Sequence, residues 1–184
     1  MKIFYEEENK ARISKHIELV KTIMLRIGHS LNFDEKSLLE RAKVHDLTKF
    51  SNDEILGYML LGDEKEHSRV LTIEEKAIVN KAIEHHYRNN SHHPQYYDDC
   101  NKMTDLDLLE MVSDWLACAI EKGISPVITN SYNFNEANYQ KILQYAKIGI
   151  DSFNLIDNSN GKKSNIKHHF PSFSCVLSVG IVFL

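Results

Sequence analysis

Glycine and proline are scarce in this chain, seven and three in 184 residues. Few positions therefore interrupt regular backbone, which favours helices. Cysteine is as sparse: Cys100, Cys118 and Cys175 form no C-x-x-C pair and leave an odd one out, the pattern of free thiols in a reducing compartment. No run of about twenty apolar residues exists, which excludes an ordinary membrane-spanning helix. The acidic stretch Met1 to Glu8 has no apolar core segment, so no signal peptide is expected. A cytoplasmic protein without a membrane partner follows. There is no basic excess either: a net charge of -4 and a pI near 6.2 give no footprint for bulk nucleic-acid binding. A small anionic ligand stays open, because bound metal ions reverse the local field.

What is present suits one soluble globular domain, 42% apolar and 26% charged, long enough to bury roughly two-thirds of its unfolded surface. A first helix is expected over about residues 8–30, where Ile13, Ile17, Val20, Met24 and Ile27 recur at helical steps. His16 lies on that face; alone, such a histidine is usually a satisfied core residue. Asp34 is a plausible N-cap. Leu38, Leu39, Ala42, His45 and Asp46 then continue one face of a second helix. Ser51-Asn52-Asp53-Glu54 reads as a capping box opening a short helix to about Leu61, and 62–69 as a solvated connector. Thr72 to Glu75 is another capping box, starting a helix to about Arg88 with Ile78, Ala82, His85 and His86 on its buried side. Turn chemistry follows at Asn89 to Pro94, carrying His92 and His93, and Gln95-Tyr96-Tyr97 offers aromatic walls for a pocket. Asp105 is expected to cap a helix to about Lys122 with Met111, Asp114, Trp115 and Cys118 inward, ended by Gly123. Asn135 caps a last helix to about Ile156. The expected architecture is an all-α bundle of about six helices in one domain, 1–157. Residues 158–184, a polar linker and a charge-free apolar tail, stand apart without an assigned role.

The chemistry concentrates around Val44-His45-Asp46-Leu47-Thr48-Lys49-Phe50. A carboxylate on an apolar face needs a cation, since an unpaired buried charge is expensive. For Asp46 that cation is Lys49, Arg41 or a metal ion. Asp114 poses the same problem. His16, His45, the pair His85-His86 and the pair His92-His93 supply imidazoles suited to transition metals. Six ligands of this kind can hold two ions with Asp46 bridging, activating a water and stabilising charge on phosphorus. His16, His45, Asp46 and Asp114 alone would hold one.

The order His…His-Asp…His…His…Asp on a helical chain resembles the HD-domain superfamily of metal-dependent phosphohydrolases over about residues 10–120. His45-Asp46-Leu47-Thr48-Lys49 looks like the His-Asp-x-x-Lys form of phosphodiesterase branches. More closely, Lys15-His16-Ile17, His45 to Ser51, His86…Asn89…His92-His93-Pro94 and Ser113-Asp114-Trp115 resemble a small bacterial and phage family known only as a domain of unknown function, with an HDLSKFS-like motif. The resemblance implies His16, His45, Asp46 and Asp114 as one metal site and His86 and His92 as completing a second, with His85 and His93 the lesser members of their pairs. It places Lys49 beside the substrate phosphate; Arg88 is a further candidate, through a bidentate fork, against a solvated helix end. It implies one or two divalent ions (Mn, Fe, Co, Ni or Zn), with Asp46 and Lys49 catalytic. The Gly-Tyr-Pro signature of cyclic-dinucleotide phosphodiesterases is missing. The expected function is hydrolysis of a nucleotide or other small phosphate ester through a metal-activated water. A di-iron oxygenase of the same fold and a non-catalytic metal- or ligand-binding module are the alternatives.

Overall fold

The computed structural model describes residues 6–154. Six α-helices make up the fold: α1 (Glu6–Ser30), α2 (Glu35–Val44), α3 (Ile55–Glu66), α4 (Ile73–Asn89), α5 (Asp105–Lys122) and α6 (Glu136–Ser152). Short 3-10 turns lie at Leu47–Phe50, Pro94–Tyr96 and Cys100–Lys102. The expected all-α bundle of six helices is found. The expected tail, 158–184, lies outside the described residues.

Helix α5 is the axis. Every residue from Asp107 to Ala119 is buried, so the helix is enclosed on every side; it is largely apolar, as such a helix must be, except at Asp107, Glu110, Ser113 and Asp114. It contacts α1 and α6, while α3 packs on α4 and bridges to α1. Two apolar clusters result. The larger joins Val20, Ile23 and Ile27 of α1, Leu38 and Ala42 of α2, Leu108, Val112, Trp115 and Leu116 of α5, and Ile142 and Tyr145 of α6. The smaller joins Ile13 and Ile17 to Tyr58, Leu60 and Leu61 of α3 and Val79 of α4. His16 lies between Ile13 and Ile17 of the smaller cluster, one turn before Val20 of the larger, and Asp114 adjoins Trp115 of the larger, so the polar centre borders both. The close approach of α6 to α5 requires Gly149, where an added Cβ would stand 2.3 Å from Leu116 Cδ1.

Several caps agree with the sequence reading. Asp34 accepts from the Ser37 amide, Thr72 and Glu75 form a reciprocal capping box, Gly123 is left-handed, and Asn135 caps α6. Other positions differ. Glu54 makes no capping bond, and the Ser51 carbonyl closes that turn instead; the Glu54 carboxylate is drawn inward by histidines. Helix α3 runs on to Glu66 through the stretch expected to be a solvated loop, and Asp63 there is fully buried. It is held by Asn9 Nδ2 at 3.1 Å and faced by Arg69, so this charge of the segment serves packing. Thr104, not Asp105, caps α5, because Asp107 three residues on returns a bond to it. Leu39 is 44% exposed; α2 is one helix of ten residues whose inward face needs only Leu38 and Ala42. On α4 the buried position is Val79, with Ile78 at its edge. Helix α6 ends at Ser152, four residues short of the expected end, and buries Tyr145 and Gly149 besides Ile142 and Ala146.

Candidate metal centre

Four histidines converge on Asp46 from four parts of the chain. His16 comes from the middle of α1. His45 is the C-cap of α2, and Asp46 follows in the left-handed conformation, φ 57°. Aspartate is among the few non-glycine residues that visit this region routinely, and the turn swings its carboxylate under the helix end. His86 stands in the last turn of α4. His92 and His93 follow in a turn closed by the His93 amide on the Asn90 carbonyl. Asp114 comes from mid-α5. All seven side chains are at least nine-tenths buried.

The two oxygens of Asp46 face different partners. Oδ1 lies 3.2 Å from His86 Nε2 and 3.4 Å from His92 Nε2, while Oδ2 lies 3.7 Å from His16 Nε2 and 3.5 Å from His45 Nε2. Among the described residues the donor atoms form four groups, each within 4.8 Å: Asp46, His86, His92 and His93; His16, His45 and Asp114; and two that take in the outer carboxylates, His16, Cys118 and Glu121, and His45, His92 and Glu110. His16 Nε2 also lies 3.0 Å from Asp114 Oδ1. Lys49 pairs with Asp46 Oδ2 and stands 5.0 Å above the Tyr58 ring.

Each of the four histidines around Asp46 turns its other ring nitrogen to a carboxylate. His16 Nδ1 donates to Glu121 at 3.0 Å, His45 Nδ1 to Glu110 at 2.8 Å and His86 Nδ1 to Glu54 at 2.9 Å. His92 Nδ1 lies 3.3 Å from Glu110. A carboxylate only accepts, so each Nδ1 carries a proton and Nε2 is left facing the centre; His16, held between Asp114 and Glu121, carries a proton on both nitrogens, and a metal ion would have to displace the one on Nε2. This is the arrangement that orients metal-ligating imidazoles and raises their basicity. His45 Nε2, His92 Nε2, His93 Nε2 and Asp46 Oδ1 are buried without a hydrogen-bond partner. Such groups are costly unless something else satisfies them, and a cation is what these donors suit. Buried histidines and aspartates of the described residues can therefore hold a metal ion, and imidazole with carboxylate suits a divalent transition metal.

The electrostatics fit a cluster of charges removed from water. Burial alone would raise the Asp46 carboxyl, but His45, Lys49 and His86 hold it well below its ordinary range. Burial opposes ionisation of Asp114 and Glu110 too; His16 outweighs it for the first, and His92 and His45 for the second. For His16, burial would lower the pKa, yet the Asp114 and Glu121 carboxylates lift it to about 10. Burial and the neighbouring His92 and His86 push His93 well down, so it is neutral, the form a ligand requires.

His16, His45, Asp46, His86, His92 and Asp114, the six ligand candidates, are brought together, with Lys49 beside them. Arg88 is not: its side chain is 71% exposed and pairs with Glu84, one turn earlier on the outer face of α4. Arg41 is turned to Asp107 and Glu110 rather than Asp46. His85 points to Glu54 instead of the centre. His93, ranked below His92 from sequence, joins the same donor group. Tyr96 is exposed and the Tyr97 hydroxyl donates to Asp107, so neither walls the centre. Sequence reasoning missed Glu54, Glu110 and Glu121. Glu110, Asp114 and Glu121 lie four and seven residues apart on α5, a carboxylate stripe at helical spacing in an otherwise apolar segment. That was the available signal.

No helix among the described residues is long and apolar enough to cross a membrane. No curated protein and no solved structure matches the chain. A family model matches residues 5–171, a span that includes every residue of the centre, and by it the chain belongs to the family of unknown function DUF5662.

Proposed function

We propose that the protein is a metal-dependent phosphohydrolase of the HD-domain type, acting on a nucleotide or another small phosphate ester. The observation that carries this reading is the two-sided Asp46 carboxylate, with a separate set of imidazole Nε2 atoms on each oxygen and the Lys49 ammonium against one of them. His16, His45, Asp114 and Asp46 would hold one ion, and Asp46, His86 and His92 a second. Bound there, the ions supply Lewis-acid activation of a water and of a phosphoryl oxygen. The chain's own residues do the rest. Glu54, Glu110 and Glu121 keep each imidazole in the tautomer that leaves Nε2 basic. Lys49, 15% exposed at the edge of the centre, offers a cation to the phosphate, and burial of the donors excludes bulk water, which strengthens every charge interaction inside.

One observation favours a second reading. Asp46, His86, His92 and His93 amount to four protein donors in one group, the number that closes the sphere of a structural metal. A non-catalytic module holding such an ion would use the same residues.

Elemental analysis of the full chain, native and Asp46→Asn, tests the proposal first; asparagine also tolerates the left-handed turn. About two equivalents of a transition metal, lost in the variant, together with hydrolysis of phosphate mono- or diesters in the loaded native protein, is the expected result. Metal without turnover would favour the binding module. Iron with oxygen-dependent turnover would move the assignment to an oxygenase. No uptake under any loading condition would remove the proposal.

A further inference from the structure

We infer that Glu110 is a positioning residue for both halves of the centre and couples their occupancy. The inference rests on the metal-dependent reading above. Its Oε1 lies 2.8 Å from His45 Nδ1 and 3.3 Å from His92 Nδ1, and its Oε2 is pinned by Arg41 Nη1 at 2.8 Å. His45 belongs to the group with His16 and Asp114, and His92 to the group with His86 and His93. One buried oxygen thus orients an imidazole in each half. Glu121 reaches only His16 of this set, and Glu54 reaches only His86 with its neighbour His85.

The consequence follows from ordinary hydrogen-bond chemistry. An imidazole coordinated through Nε2 has a more acidic Nδ1–H and donates more strongly to its carboxylate. Arg41 keeps that carboxylate from turning away. Filling one half therefore aligns Glu110 for the other, and the first ion raises the affinity for the second; coupling of this kind is reciprocal. Losing a carboxylate that orients metal-ligating histidines costs roughly 10- to 100-fold in metal affinity. In Glu110→Gln an amide nitrogen must face either Arg41 or the two histidines, so donor meets donor on one side.

The test titrates the full chain, stripped of metal, with Co²⁺, following visible absorption and bound metal after equilibrium dialysis. Far-UV circular dichroism monitors the fold. In the native protein two equivalents should bind with positive cooperativity. Glu110→Gln should weaken both by roughly 10- to 100-fold and abolish the cooperativity. Glu121→Gln should weaken chiefly the half holding His16, and Glu54→Gln chiefly the half holding His86. Weakening of one half or neither by Glu110→Gln overturns the inference, as does an equal loss at both halves in all three variants, which would be general destabilisation. Should Glu110→Gln lose its helical signal, Arg41→Met leaves the carboxylate present but unpinned, and it too should weaken both halves. A native protein that binds one equivalent overturns the coupling alone; one that binds none overturns the metal-dependent reading itself.

Discussion

At the scale of single residues, Asp46 and Lys49 are the pair on which the proposed chemistry turns. Burial would lower the Lys49 pKa, but the Asp46 charge outweighs it and holds the ammonium well above its ordinary value. Lys49 is thus a permanent cation that touches Asp46 without being a metal donor. Lys49→Ala should leave the bound metal unchanged and reduce turnover of a phosphate ester by roughly a hundredfold, the typical loss of one electrostatic contact to a transition state. Metal analysis beside steady-state kinetics separates the two effects, and unaltered kinetics would remove the lysine from the mechanism. The His-Asp-x-x-Lys run was legible as a candidate site because a buried aspartate beside a histidine needs a cation nearby. The choice within each histidine pair was not legible. It depends on which ring finds an unclaimed carboxylate edge, and Glu54 takes His85 on one oxygen and His86 on the other.

At the scale of elements, the start of α5 carries more than its own cap. Asp107 accepts from the Thr104 amide and hydroxyl, from the Ser91 hydroxyl, from Tyr97 and from Arg41. It thereby ties the cap to the loop bearing His92 and to α2. Burial works against its charge, but the bonds from Thr104, Ser91 and Arg41 hold its pKa below the ordinary 3.8. A depressed carboxyl stabilises the fold above its unfolded pKa, and that contribution fades as pH falls through the folded value. Asp107→Asn should therefore lose about 1–3 kcal/mol at pH 7, the usual cost of a disrupted buried charged bond, and the gap from native should narrow below about pH 4. Urea unfolding at pH 7 and pH 3 measures both. A gap independent of pH would mean that the carboxyl charge is not what matters. Helix periods and most caps were legible along the chain because they are local. The inward turn of Glu54 was not, since nothing within four residues of it reveals a histidine waiting on α4.

At the scale of the whole molecule, the centre gathers α1, the α2–α3 connection, α4, the loop after it and α5. An ion bound only by the native arrangement stabilises it by mass action, about 2.7 kcal/mol at a hundredfold excess over its dissociation constant. For a domain of this size that is roughly 5–10 °C in melting temperature. Loading with metal should raise the melting temperature by about that much, and a chelator should reverse it; a melting temperature indifferent to both would show that the ion, if bound, does not bind the native state selectively. The bundle was legible as all-α with one core. Its division into two apolar clusters bordering a polar centre was not, because it depends on tertiary packing: α3 packs with Ile13 and Ile17, and α5 and α6 with Val20 to Ile27. His16 and Asp114 stand 98 positions apart along the chain. An ion shared between them is, topologically, a removable cross-link. Unlike a covalent bridge over a loop of that length, it does not persist in the unfolded chain, so its whole contribution is the mass-action one. Cys100 and Cys118, the cysteines among the described residues, are in no disulfide, and the fastening would come and go with the metal supply.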